Sequence, residues 1–517
     1  MKFDIRNPQS ETNSNSPIRN ENGNGRRAPL AAVNRYAFRT FRLLSLFRAS
    51  FFGFRIFRKT VIASRLTVAM LGWALPCCLV AAPIPAPFSD PAPFTNNDAP
   101  AGKMRMTRST SGQIVWGDAP RVSLVYWEGR EDAVLPHRSW FRQWDPHAGW
   151  GARERIEQSF GEGGVEVGGR HPAMVALDDG SFVAVWNDYR HGLHPAYITN
   201  IEIYAQRRPA DGSFASSATL EQRLSDTPDN GYLPRITRLL DGRLAVAWYD
   251  FHYNNNEASE LALRIGAADG DFTQSLAAAP IRLTDLADRA AGDEGKSFIM
   301  PSPAPATTDT LALCWVTLAE LSSGLPDTSS PASLYFGLYD LTAGAWSERG
   351  RLLANRVRGY FDPPKLIRDP ASGDLWLLYV DSASHPSEEV YLARRPAGAG
   401  TFEDPVRITD DGNRSRYPDA AIDADGRLHL VWVDDPAGSG NSHVRYAVYD
   451  PELAALTPPV DLTPEHPREW ERPAIALEAS GHAFVVWEEN INGLQGHLWF
   501  TTNWTPNAAA AAWLTAE

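Results

Sequence analysis

A proline followed fourteen residues later by a tryptophan recurs five times, as Pro172 and Trp186, Pro234 and Trp248, Pro301 and Trp315, Pro418 and Trp432, and Pro473 and Trp487. Unrelated segments do not keep one spacing, so the chain reads as an array of a single repeated unit. A glycine stands eight residues after the proline in four copies (Gly180, Gly242, Gly426, Gly481), and Asp309 takes its place in the other. Asp-Gly or Ser-Gly between two alternating apolar runs marks a hairpin. "PPKLIRDPASGDLWLLYVD" is a sixth copy with one extra turn residue, which puts Pro364 fifteen before Tyr379. The seventh, "QIVWGDAPRVSLVYWEG", carries Trp127 but has Gln113 where the others have proline.

Each copy continues into a third strand, such as "IEIYAQRR", "VYLARRP" or "VRYAVYD", and then a short fourth, such as "QRLSD", "IRLTD" or "VRITD". From Trp127 to Trp487 there are six steps of 60 residues on average. Four antiparallel strands in that length make a β-propeller blade, because a single sheet of this size cannot bury both faces alone. The expected fold is all-β: a seven-bladed propeller over 103–517, with six blades as the alternative. It follows a disordered and hydrophobic N-terminal targeting region.

That region divides into a basic, polar leader over 1–65, an uncharged apolar run over 66–82, and a Pro-rich linker over 83–102. A positive flank, an apolar stretch and small residues at its end fit a signal peptide, and an uncleaved membrane anchor is the alternative. Either one exports the rest, to the periplasm, the envelope surface or the medium. The net charge of −13 argues against a nucleic-acid partner, since phosphate binding needs a surplus of Lys and Arg. With three cysteines, two of them in the apolar run, there is no disulfide framework, and Cys314 in "LALCWVT" reads as a buried strand residue. No metal-ligand spacing or cofactor motif occurs, and calcium at Asp226 and Asp229 or at Asp410 and Asp411 is the one ion left open.

At the turn between the third and fourth strands, "RRPADGSF", "GAADGDF", "LTAGAW", "PAGAGTF" and "DPHAGW" each place a glycine near an aromatic residue. These turns resemble a degraded Asp-box, the Ser-x-Asp-x-Gly-x-x-Trp turn of the sialidase-like (bacterial neuraminidase repeat) propellers. The order Pro172, Trp186-x-Asp188-x-Arg190-x-Gly192, Ile203-Tyr204, Asp211-Gly212-Ser213-Phe214 follows such a repeat. The resemblance covers 112–517. It implies three arginines on a substrate carboxylate, a tyrosine activated by a glutamate, and an aspartate acid/base. Arg170, Arg416 and Arg472 are the arginines it points to, and Tyr232, Tyr360 or Tyr417 the tyrosine. The leading serine of the box and the Arg-Ile-Pro signature are both missing, so the resemblance speaks to fold more than to activity.

The loop rim where the first strand begins and the second ends is the expected site. One column there precedes the proline and includes Arg170-His171, Tyr232-Leu233, Tyr360-Phe361-Asp362, Arg416-Tyr417 and Glu471-Arg472. Another, two residues after the tryptophan position, holds Asp188, Asp250, Asp381, Asp434 and Glu489. Recurrence in five copies suits loop capping by the acidic column, while one or two members remain candidates for the paired carboxylates of glycosidic cleavage. Candidate catalytic residues are Asp188, Asp250, His252, Tyr232 and Tyr417. Candidate ligand-binding residues are Arg170, His171, Arg190, His191, Asn254, Glu257, Tyr360, Arg416 and Arg472. "WYDFHYNNNE" is unique to one copy, and its rings and amides suit stacking on sugars and bonding to hydroxyls. The expected function is binding and cleavage of extracellular glycan by a monomer, as a sialidase-like glycoside hydrolase or a polysaccharide lyase. The alternative is a non-catalytic module recognising a glycan or an envelope protein, with the N-terminal segment touching the membrane.

Overall fold

The structure, a computed structural model, describes residues 87–93, 105–107, 113–115, 121–129, 138–146, 148–158, 168–190, 193–194, 197–198, 201–226, 230–254, 258–319, 331–358, 362–382, 387–436, 441–464, 468–478, 481–491 and 495–504. The leader and the apolar run lie outside them. Among the described residues, no helix is long and apolar enough to cross a membrane.

The repeated units are four-stranded antiparallel sheets. The second unit pairs Gly169–Ala176, Phe182–Asp188, Glu202–Arg208 and Gln222–Arg223 in that order. The third pairs Gly231–Arg238, Leu244–Asp250, Glu260–Gly266 and Ile281–Arg282 in the same way. The fourth and fifth are hydrogen-bonded into one eight-stranded sheet, because the long outer strand Ala345–Val357 of the fourth reaches the fifth through Val357 and Asp381. All three "R-L/I-S/T-D" stretches form the short outer strands that their sequence suggested.

Apolar clusters bind each sheet to the next. Phe141 and Ile156 of the first unit pack with Trp186 and Phe214 of the second, and Ile203 of the second packs with Trp248 and Phe272 of the third. The series returns on itself, since Val122, Leu124 and Tyr126 of the first unit share a cluster with Phe484, Val486 and Phe500 of the last. In three units the aromatic after the third-to-fourth-strand turn is a wedge reaching back to the preceding sheet. Phe214 lies 5.7 Å from Phe141, Phe402 lies 5.0 Å from Phe336, and Trp150 of the first unit lies 5.2 Å from Phe500 of the last. A ring of sheets closed in this manner is a β-propeller.

The repeated proline marks a distortion of the innermost strand. In five units the residue before it has a left-handed backbone: His171 at φ 53°, Leu233 at 50°, Met300 at 55°, Tyr417 at 52° and Arg472 at 48°. The pairing register slips at each of these places, for example between Arg170 and Ala173 and between Arg416 and Asp419. Such a β-bulge costs about 1–2 kcal/mol for a residue with a Cβ and re-aims the neighbouring side chains.

A polar clasp recurs on the outer side. Arg282 Nη2 bonds Glu260 at 2.6 Å, and Arg407 lies 3.1 Å from Glu389. The strand-four hydroxyls of Ser225, Thr284 and Thr409 accept the amides of Ile203, Leu261 and Val390 at 2.7, 2.9 and 3.0 Å. In the first unit Glu157 takes the hydroxyl's place, accepting the Ser139 amide at 3.1 Å beside Arg155 at 3.3 Å. Burial pushes the Glu157 carboxyl up to about 8 and that of Glu202 up to about 7.

The last unit takes its outer strand from the far end of the chain. Ala92–Pro93 pair with Phe500 and Trp499, and the Ser89 amide bonds the Thr502 carbonyl at 2.8 Å. Phe88 sits 4.9 Å from Tyr446 in the neighbouring sheet. Residues 87–93 are therefore part of the ring, where a linker over 83–102 without strand pattern was expected; two residues of strand are too short to leave an alternating signature.

Two outcomes follow for stability. The Glu157 carboxyl holds its proton more tightly when folded, so its contribution is complete below its ordinary value of 4.5 and is lost as pH rises through about 8. Urea unfolding should show the advantage of the wild type over Glu157→Gln shrinking across that window. Ser89→Pro removes the amide that bonds Thr502. It should lower the melting midpoint by on the order of 2 °C and speed hydrogen exchange at 499–502 while leaving 261–266 unchanged.

Candidate functional site

The bulged strands converge on the ring axis, where a cavity of about 230 Å³ opens. Its wall carries the residue that directly follows each proline: Ala173, Arg235, Ser302, Lys365, Asp419 and Ala474. Leu233, Met300, Tyr417 and Arg472, the left-handed residues, stand beside them. Lys365 pairs with Asp419, whose other oxygen accepts the Ile475 amide at 3.0 Å. Arg235, Lys365 and Arg472 against Asp419 leave the cavity net cationic.

A second cavity of about 220 Å³ lies off the axis between the sixth and seventh units, lined by Arg414, Arg416, Asp435, Glu471 and again Tyr417. Tyr417 is thus the shared wall. Its amide donates to Asp362 Oδ1 at 2.6 Å, and its ring is flanked by the guanidinium groups of Arg416 at 4.6 Å and Arg472 at 5.5 Å. Burial raises its hydroxyl to about 12, with Glu471 and Asp362 acting in the same direction and both arginines opposing. The phenol is protonated at neutral pH and can donate a hydrogen bond or a proton. Each arginine is held in turn: Arg472 lies 2.6 Å from Glu471 and 3.0 Å from Glu488, and Arg416 lies 3.5 Å from both Asp362 and Glu388.

Two members of the acidic column are scaffold in their geometry. Asp188 and Asp250 are each 0% exposed. Asp188 accepts the Trp186 indole N–H at 2.8 Å, the Arg190 amide at 2.9 Å and the Arg190 guanidinium at 2.6 Å. Asp250 accepts the Trp248 indole at 2.9 Å and the His252 amide at 2.8 Å. Residues two apart on a strand share a face, so a buried indole finds its acceptor there. This geometry leaves neither carboxylate facing a ligand. Arg190, expected at the ligand, is spent on Asp188 and Glu221.

The expected meeting of Arg170, His171, Tyr232, Asp250, His252 and Tyr417 in one central pocket does not occur; Tyr417 alone of the six lines the axial cavity. Arg170 lies over Trp127 at 5.0 Å and Tyr189 at 5.2 Å, and His171 Nδ1 is 2.9 Å from Asn187. Tyr232 stacks on Tyr249 at 5.6 Å, and the His252 ring lies 5.6 Å from Tyr253. Asn254 ends the short turn His252–Asn254. His191, Glu257 and Tyr360 lie outside the described residues. Missed from the sequence was the column after the proline. Its signal was three charged residues, Arg235, Lys365 and Asp419, at equivalent places on innermost strands.

Among the described residues, no group of three or more His, Cys, Asp or Glu gathers at a metal-binding distance. Asp226 pairs with Arg223 at 2.9 Å and Asp410 with Arg407 at 2.7 Å, while Asp229 lies outside the described residues. Cys314 is buried, as its strand context suggested, and burial pushes its thiol well up.

No protein-family model and no curated protein matches this chain. The chain is similar to solved structures at low identity. One is a polysaccharide lyase, the PL25 ulvan lyase bound to -[GlcA(1-4)Rha3S]-, at 11% identity and a TM-score of 0.49, covering 74% of this chain and 90% of that one. A second is the α-L-arabinanase of Penicillium chrysogenum complexed with arabinobiose, at 12% identity and TM-score 0.41, covering 67% and 95%. The NanB sialidase of Streptococcus pneumoniae is a third, at 10% and 0.39, covering 80% and 70%. The fold defines the class, a β-propeller of four-stranded blades.

Breaking the Asp188 clasp separates scaffold from chemistry. Asp188→Asn weakens a buried ion pair, and chemical denaturation should show a loss on the order of 3 kcal/mol.

Proposed function

We propose that the protein is an exported, seven-bladed propeller that binds an acidic extracellular glycan at its central channel and cleaves it there. The observation that carries this reading is Tyr417, held between Arg416 and Arg472 where the two cavities meet. Arg472, Lys365 and Arg235 supply the positive field for a carboxylate or sulfate in a cavity with apolar walls, where charge–charge attraction is less screened than in water. Tyr417, protonated at neutral pH, is the group placed to donate a proton to the oxygen that leaves the broken glycosidic bond, the other side being completed by addition of water in a hydrolase or by loss of a ring proton with formation of a double bond in a lyase. Ion-paired arginines keep the ring in one orientation, which a proton donor requires. The Arg-rich leader and the apolar run over 66–82 support export.

A second reading, recognition without turnover, is favoured by one observation. The carboxylates expected to act as acid and base, Asp188 and Asp250, are consumed by the scaffold.

The test uses residues 83–517 on a panel of acidic and neutral glycans, read both for binding and for new reducing ends with and without an unsaturated product. Acidic glycans are expected to bind and to be cut, with Tyr417→Phe abolishing cutting and leaving binding within a few-fold. Binding without cutting selects the recognition reading. Equal binding of neutral and acidic glycans, or none, overturns the acidic-ligand assignment.

A further inference from the structure

The two cavities that share Tyr417 differ in what their walls leave unsatisfied. At the axial cavity, Arg472 Nε is buried and makes no hydrogen bond among the described residues, while its Nη1 is engaged by Glu471 and Glu488. At the outer cavity, Asp435 Oδ1 is likewise buried without a partner, and its Oδ2 is 3.6 Å from Arg414, beyond hydrogen-bond range. A buried donor or acceptor without a partner costs about 1–3 kcal/mol, so each marks a place where a ligand atom of the opposite kind is stabilised. The axial orphan is a cationic N–H donor, which suits an anionic oxygen. The outer orphan is a carboxylate acceptor, which suits a hydroxyl hydrogen and repels a second acid.

Charge in the rest of each wall agrees. The axial cavity is net cationic, with Arg235, Lys365 and Arg472 against Asp419. The outer one sets Arg414 and Arg416 against Asp435, Glu469 and Glu471, one negative charge in excess. Guanidinium and carboxylate groups together can bond the donor and acceptor sides of neighbouring hydroxyls, and the excess of carboxylate disfavours a second acid. The cavity floor is fixed, because Ser442 Oγ, beside it, accepts the Trp470 amide at 2.7 Å and bonds the Arg468 carbonyl at 3.1 Å.

We infer that the outer cavity is a second saccharide subsite, selective for a neutral, hydroxyl-bearing unit next to the acidic unit held on the axis. The protein then reads an alternating acidic–neutral chain across Tyr417. This rests on the acidic-glycan reading and adds the chain length and the order of units.

Calorimetry with three probes tests it: free glucuronic acid, the hyaluronan disaccharide of one acidic and one neutral unit, and an all-acid mannuronate disaccharide. The alternating disaccharide should bind about tenfold tighter than the free acid, the equivalent of 1.4 kcal/mol, and the all-acid dimer should show no such gain. Asp435→Ala should erase the gain while leaving the free acid unchanged. Asp435→Asn, which keeps an acceptor and the side chain's shape, should retain part of it and guards against a folding artefact. Equal affinity for free acid and alternating disaccharide, a larger gain for the all-acid dimer, or a uniform loss for all probes in Asp435→Ala would overturn the second subsite while the axial reading stands. Failure of every probe to bind would remove the acidic-glycan reading, and this inference with it.

Discussion

Wedge-shaped apolar packing between neighbouring sheets is the constraint on which everything else in this chain depends. A four-stranded sheet with apolar residues on both faces has no stable existence in water until each face is covered. Here each face is covered by the next copy of the same unit, with the strand-two tryptophan and the turn aromatic filling the gap. Closing the series matters as much as repeating it, because an open array leaves two faces bare and two edges unpaired. The packing of Trp150 on Phe500 covers the last face, and the Ala92–Pro93 strand pairs the last edge.

Closure also creates the site. Innermost strands that approach one axis are crowded, and a regular pleat would point alternate side chains into their neighbours. The bulge at five of the prolines relieves this by turning the residue before the proline left-handed and aiming the residue after it at the channel. The strain is repeated five times over, so it belongs to the architecture. Chemistry enters where the repeated positions carry Tyr417, Arg472, Arg235, Lys365 and Asp419 instead of leucine, methionine, serine and alanine.

The same distinction sorts the acidic residues. Asp188 and Asp250 look catalytic in isolation, being acidic, near a rim and close to histidine and arginine. Their repetition was the clue to another role, and the indole hydrogen bonds show what it is. Tyr417 also belongs to a repeated column, yet it is the single tyrosine among the five left-handed residues that precede a proline, and its two flanking guanidinium groups come from different units.

Much of this was legible in the chain itself. Spacing of proline, glycine and tryptophan gives strand order, hairpin turns and blade architecture, because backbone geometry and burial act on residues a fixed distance apart. The burial of Cys314 and the "R-L/I-S/T-D" outer strands were readable for the same reason. The axial column after the proline, the strap from residues 87–93 and the gathering of Arg416, Tyr417 and Arg472 were not. Those contacts join residues more than fifty or even four hundred positions apart, and only the closing of the ring decides which of them face one another.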